Sequence, residues 1–114
     1  MEIDHYRFGR IGIGGRDYDT DVIIFPDRVQ DRWWRREGHR LSGEDLDTVL
    51  AEPPQLLVIG TGYYGRMHVP EETLALLRAA GTEIRVLKTG EAVSEFNRLQ
   101  KDCARTVAAL HLTC

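Results

Sequence analysis

Between residues 56 and 112 the apolar residues change their spacing repeatedly, and this alternation limits the folds open to the chain more than any other feature. Residues 56–59, Leu-Leu-Val-Ile, are apolar without a break, as in a strand covered on both faces. Leu74, Leu76 and Leu77 follow at helical spacing behind Pro70, which suits the first position of a helix, and Gly81 closes it. Residues 84–87 supply the next strand. Thr89 can cap a helix that carries Ala92, Val93, Phe96 and Leu99 on one face, and residues 107–112 make a final strand. Residues 56–87 therefore read as a βαβ crossover, its strands parallel and its helix over one face of the sheet in the right-handed sense.

The first half of the chain reads differently. Residues 3–8 and 11–13 are short strands, with Gly9, Gly12, Gly14 and Gly15 permitting tight turns or bulges between them. Residues 21–25 form a stronger strand that Pro26-Asp27 stops, and the spacing predicts a hairpin of 22–25 against 29–34. Ser42 with an acid three residues on opens a helix through Leu46, Val49 and Leu50, which Pro53-Pro54 ends. The expected fold class is α/β: a single domain over 1–114, with a central mixed β-sheet containing one parallel βαβ unit, helices packed on it and N-terminal β-hairpins.

Composition narrows the functions. With 42% apolar and 29% charged residues the chain is ordinary globular protein. No apolar run reaches the roughly 20 residues a membrane helix needs, so no membrane partner is expected. The opening MEIDHYRFG lacks the apolar segment of a secretory signal, and the expected location is the cytoplasm. Cys103 and Cys114 are too few for a disulfide framework and are expected to stay reduced. A net charge of −3 gives no general attraction to phosphate backbones, so nucleic acid is not an expected partner.

The stretch LLVIGTGYYGRM carries Gly60, Gly62 and Gly65 in the spacing of a dinucleotide-binding turn. Such a turn requires a helix that begins inside the glycines, so that helical amides meet the pyrophosphate. Here Pro70 delays the helix, because the residue before a proline is pushed out of helical geometry. The acid expected at the end of the second strand is replaced by Lys88. No cofactor is therefore expected. A weaker expectation remains: parallel strands bring Gly60, Thr61 and Gly62 beside Lys88 and Thr89, and with Arg66 and Asn97 they outline a crevice that can accept a small anion. Asn97 lies two turns into its helix and reads equally as a buried structural amide.

The segments LLVIGTGYYGRMHVPEETLALLRAAGTEIRVLKTGEAVSEFNRL, VAALHLTC and DVIIFPDRVQDRWWR resemble the Mth-type family of small uncharacterised proteins, over nearly the whole chain. That family includes an adipogenesis-associated domain-containing protein and a mitochondrial assembly factor of respiratory complex I. The resemblance implies a three-layer α/β fold with a central mixed sheet. It implies no reaction, and its members with assigned roles look like assembly or regulatory factors acting through protein contacts. Phe96 stands where many relatives carry Tyr, and Gly65 is not part of the family pattern.

Other residue groups point to surfaces rather than chemistry. Asp17, Asp19 and Asp21 copy the start of a calcium loop, but Val22 and Arg28 stand at its glycine and glutamate positions, so a solvated acidic turn is expected and no metal. Arg32, Trp33, Trp34, Arg35 and Arg36 form a candidate protein interface, in which strand alternation would send one Trp to the core and expose the other beside arginines. His111 and Cys114 are too few for a zinc site and read as a buried histidine and a free thiol. The expected function is non-catalytic: a protein-binding assembly or regulatory factor, with a homodimer left open. The alternative is a small-anion-binding module or enzyme using the crevice around Gly60, Thr61 and Gly62. No residue is assigned a catalytic role, because the crevice offers no carboxylate or paired histidine as a general base.

Overall fold

The computed structural model describes residues 1–114. Its organising element is a five-stranded sheet in the order β5-β4-β8-β6-β7. The strands are β4 (Val22–Ile24), β5 (Val29–Gln30), β6 (Leu56–Thr61), β7 (Glu83–Leu87) and β8 (Thr106–His111). β6 lies between β7 and β8 and is parallel to both, and every one of its residues is buried, as its unbroken apolar run requires. β4 joins the far side of β8 antiparallel, and β5 joins β4.

Alternation along these strands builds two cores. Ile23, Leu57, Ile59, Val107 and Ala109 face α1 (Asp47–Ala51) and α2 (Glu71–Ala79), meeting Val49 and Leu77 together with Leu46 and Trp33. Val22, Ile24, Val58, Ala108 and Leu110 face the other way, onto Ala92 and Phe96 of α3 (Thr89–Leu99) and Ile3, Ile11 and Ile13. Those three isoleucines belong to a separate antiparallel sheet of β1 (Ile3–Arg7), β2 (Arg10–Ile13) and β3 (Arg16–Tyr18). The fold is thus three-layered α/β, with helices on one face of a mixed sheet and a helix plus a small sheet on the other.

Beyond β6-α2-β7, the chain makes a second crossover: it passes through α3 to β8, which lands on the opposite side of β6. The direction of travel reverses at the edge strand β7, so two crossovers of the same hand must place α2 and α3 on opposite faces. Most helix signals act as read. Ser42 donates its amide and hydroxyl to Asp45, capping a 3-10 turn (Gly43–Leu46) that runs into α1. Pro70 stands one position earlier than expected, extended just before Glu71 opens α2, and Gly81, at φ 86°, follows the helix end.

The structure corrects three expectations. The strand expected over 29–34 stops at Gln30, because Arg32 turns to φ 52° and the chain folds back on Thr20 and Asp21, with the Arg32 amide bonded to Thr20 Oγ1 and the Trp33 amide to the Asp21 carbonyl. The acidic turn contains strand β3: Asp17 is held there by Arg10 and His5, while Asp21 is drawn inside. Thr89 does not cap α3; Lys88 occupies the cap position and the Thr89 hydroxyl is used elsewhere.

Gly60 is needed for packing rather than for a turn. A Cβ there would lie 2.8 Å from both Leu110 Cδ2 and Thr89 Oγ1 and 3.2 Å from the Thr89 backbone. Gly60→Ala should therefore lower stability by about 1–3 kcal/mol through overpacking. Gly90→Ala, inside α3 and facing open space, should raise it by about 0.5–1 kcal/mol. Urea unfolding of the two variants checks both signs.

Candidate functional site

The connections that follow β6 and β7 leave for opposite faces, and the ends of β6, β7 and β8 lie side by side there, the place where open parallel sheets often take ligands. In this protein the chain itself fills that place. The Thr89 hydroxyl donates to the His111 carbonyl (2.6 Å) and accepts from the Gly62 amide (2.8 Å). The Thr89 amide donates to the Gly62 carbonyl, and Thr61 Oγ1 donates to the Leu87 carbonyl. Residues 113 and 114 pass alongside: the Tyr63 amide bonds to the Thr113 carbonyl at 2.6 Å and the Arg66 amide to the Cys114 carbonyl at 3.2 Å. Gly62 adopts φ 108°, and a Cβ there would strike the Cys114 backbone. α2 begins only at Glu71, so no helical amide faces the triple-glycine turn.

Of the expected crevice residues, Gly60, Thr61, Gly62 and Thr89 are therefore brought together but use their polar groups on one another. Asn97 is taken out of the crevice altogether. Its side chain pairs with both backbone groups of Ile3, accepting from the amide at 2.9 Å and donating to the carbonyl at 2.8 Å, so it ties α3 to β1. Arg66 and Lys88 remain exposed, the Lys88 stem packed on Gly65, and neither is in an ion pair.

These two cations border an aromatic surface that the sequence reading passed over. The loop holds Tyr63 and Tyr64 outward, 49% and 58% exposed, and the turn after β1 holds Phe8 beside them, 49% exposed. The Phe8 ring centre lies 5.8 Å from that of Tyr63 and 6.2 Å from that of Tyr64; the two tyrosines are 5.0 Å apart, edge to face. The Arg66 guanidinium lies over Tyr64 at 5.8 Å. Tyr6 anchors the group from below, 6.4 Å from Tyr63, donating its hydroxyl to the Leu112 carbonyl. Burial, with the nearby Tyr63 and Asp21, pushes the Tyr6 phenol up to about 12. The signal available in the sequence was the Tyr-Tyr pair between two glycines.

The expected interface around the tryptophans is divided. Trp33 is buried, its indole N–H donating to the Asp45 carbonyl, and Arg35 is buried beneath it. Trp34 is 75% exposed; with Arg32 and Arg36 it borders a shallow groove of about 460 Å³ whose far wall carries Glu44 and Asp47. Arg36 is already paired with Glu44 at 3.0 Å.

Arg35 completes a buried ionic cluster. Asp21 Oδ2 accepts from Arg35 Nη1 (2.7 Å) and His111 Nδ1 (2.8 Å), and Oδ1 accepts from the Leu112 amide. One imidazole nitrogen cannot donate to Asp21 and accept from Arg35 at once. The shorter contact places the proton of Nδ1 toward the carboxylate, and Arg35 Nη2, though 3.0 Å from Nδ1, has the Gly38 carbonyl as its acceptor. Arg35 Nε and His111 Nε2 are left without partners. Burial acts to raise the Asp21 pKa, but the hydrogen bonds from His111, Leu112 and Arg35 outweigh it and hold the carboxyl below its ordinary range. No group of three or more His, Cys, Asp or Glu side chains is placed to hold a metal ion.

The chain matches the model of a family described as protein of unknown function (DUF498/DUF598) over residues 3–111. It is 30% identical to a conserved hypothetical protein from Pyrococcus horikoshii, each chain covered in full, with a TM-score of 0.78. It is 28% identical to a protein from Bartonella henselae described as an outer membrane protein, covering 98% of this chain and 94% of that one, with a TM-score of 0.81. A Bordetella pertussis protein described as an Mth938-like domain shares the fold at 22% identity and a TM-score of 0.78, over 97% of this chain and 85% of that one. The protein belongs to this family of small Mth938-like α/β domains, whose activity is unknown. No helix of it is long and apolar enough to cross a membrane.

Two titrations test the site. Tyr6→Phe should remove one phenol that ionises at about 12 in an ultraviolet pH titration of the folded protein. Asp21→Asn should cost about 3 kcal/mol by leaving Arg35 buried without its counter-charge. Because the folded pKa of Asp21 is depressed, its contribution is complete above the ordinary carboxylate value of about 3.9 and is lost as pH falls through the folded value. Denaturation curves of the two proteins should therefore converge in acid.

Proposed function

We propose that the protein is a non-catalytic binding module, an assembly or regulatory factor that captures a partner protein on the surface made by Phe8, Tyr63, Tyr64, Arg66 and Lys88. The contiguous exposed aromatic cluster is the observation that carries this reading. Three large rings in mutual contact, all about half exposed, contribute little to the core and match the composition of interface hot spots. Trp34 stands alone by comparison, and its arginine neighbour Arg36 is already neutralised. The two unpaired cations at the border specify the partner: a polypeptide segment with acidic side chains flanking an apolar anchor.

A non-catalytic role agrees with the use of the strand-end polar groups in internal hydrogen bonds. The anion expected in the crevice becomes, on this reading, a carboxylate of the partner met by Arg66 and Lys88 at the surface. The setting is the cytoplasm, where Cys103 and Cys114, both unpaired, stay reduced.

The test is a titration of the isotopically labelled protein with short peptides of acidic-aromatic, neutral and basic composition. Acidic-aromatic peptides should perturb the amides around Phe8, Tyr63, Tyr64, Arg66 and Lys88, and their affinity should fall as salt is raised. Tyr63→Ser with Tyr64→Ser should weaken binding roughly tenfold or more, at about 2 kcal/mol for a hot spot, with the fold intact. Equal binding of basic peptides, or perturbations confined to Trp34 and its groove, would defeat the reading.

A further inference from the structure

We infer that the open edge of β7 pairs with the same edge of a second copy of this chain, the two strands antiparallel about a two-fold axis at Ile84. The other sheet edges are closed or short. β5 has only two residues, and β3 three. β1 carries a bulge between Ile3 and His5, and the Asn97 side chain takes both backbone groups of Ile3. β7 is five residues long, without proline or bulge, and borders the sheet with nothing hydrogen-bonded beyond it.

The backbone fixes which groups face outward. The Glu83 amide points inward to the Gln55 carbonyl (2.9 Å) and the Thr89 amide inward to the Gly62 carbonyl (3.0 Å). Alternation then turns the amides and carbonyls of Ile84 and Val86 outward. The Ile84 carbonyl meets only the guanidinium of Arg85, at 3.5 Å. Val86 is exposed on the same edge.

The side chains select the register. An edge guarded against its own kind would carry charges of one sign, but β7 carries Glu83 and Arg85 two residues apart on one face, at present bridged to each other at 2.6 Å. With the axis at Ile84, that residue exchanges both backbone bonds with its counterpart, and Glu83 lies directly opposite the second copy's Arg85. The symmetric contact repeats this pair, giving two cross-strand ion pairs of opposite sign. Moving the axis to Arg85 would set arginine against arginine. The edge is thus self-complementary in one register, and two five-stranded sheets become one continuous sheet across the dimer.

The experiment is native mass spectrometry and sedimentation of the purified full chain across a concentration series. The wild-type protein should show twice its monomer mass. Glu83→Arg, which faces arginine with arginine, should weaken self-association roughly tenfold. The double exchange Glu83→Arg with Arg85→Glu restores opposite signs and should restore the dimer. Circular dichroism checks that each variant stays folded, which the exposure of Glu83 favours. A wild-type monomer throughout, a dimer indifferent to Glu83→Arg, or a double exchange that fails to recover association would overturn the inference. Tyr63→Ser with Tyr64→Ser should leave the mass unchanged, so this result and the partner-binding reading stand or fall separately.

Discussion

One hydroxyl, Thr89 Oγ1, joins the parts on which the architecture depends. It donates to the end of β8 and accepts from the residue that follows β6, while its own backbone begins α3. The group is buried, so an unsatisfied hydroxyl there would be costly; both of its roles are filled at 2.6 and 2.8 Å. Gly60 is the steric condition for this arrangement, since any side chain would enter the space the hydroxyl and Leu110 occupy. A glycine pattern that in other proteins lets backbone approach a pyrophosphate here lets backbone approach a threonine.

The same bond explains why the chain itself fills the reversal point of the sheet. Ligand crevices at such points stay open when the loops splay apart. Here the loop after β6 is drawn to α3 through Gly62 and Thr89, and residues 113 and 114 lie across it. With the amides committed, what remains on the outside of the loop is side-chain surface. Tyr63, Tyr64 and Arg66 occupy it because the chain turns at Gly62 and Gly65, both at positive φ, and points the intervening residues away from the body. Closing the crevice and presenting the aromatics are two results of one backbone path.

Much of the fold was legible in the sequence because it rests on local rules. The unbroken apolar run of β6, the helical spacing behind Pro70, the Ser42 and Asp45 cap and the three-and-four spacing of Ala92, Phe96 and Leu99 each specify an element without reference to the rest of the chain. What escaped notice depends on contacts distant in sequence. Asp21 and His111 are 90 positions apart, and nothing near either one announces the other. The extended reading of residues 31–34 failed at Arg32, whose positive φ is held by Thr20 and Asp21 and not by its neighbours. That fold-back, and not the alternation of a strand, divides the two tryptophans: tertiary hydrogen bonds to Asp45 and Asp21 bury Trp33 and leave Trp34 outside. Phe8 and the Tyr63-Tyr64 pair are 55 or more positions apart, so their contact becomes visible only when β1 and the loop after β6 meet around the end of β8.

Tyr6 connects the buried chemistry to that surface. Its phenol bonds to the Leu112 carbonyl, which also accepts from the Gly9 amide, while the Leu112 amide donates to Asp21. The residue just beyond β8 therefore receives the small sheet on one side and the ionic cluster on the other. A phenol pushed up to about 12 keeps its proton, and hence its bond to Leu112, at neutral pH. The ring below Tyr63 is fixed for the same reason. An aromatic surface supported in this way loses little conformational freedom when a partner covers it, and less of the contact energy is then spent on ordering. The packed core beneath Phe8, Tyr63 and Tyr64 thus supports the proposed use of so small a patch for recognition.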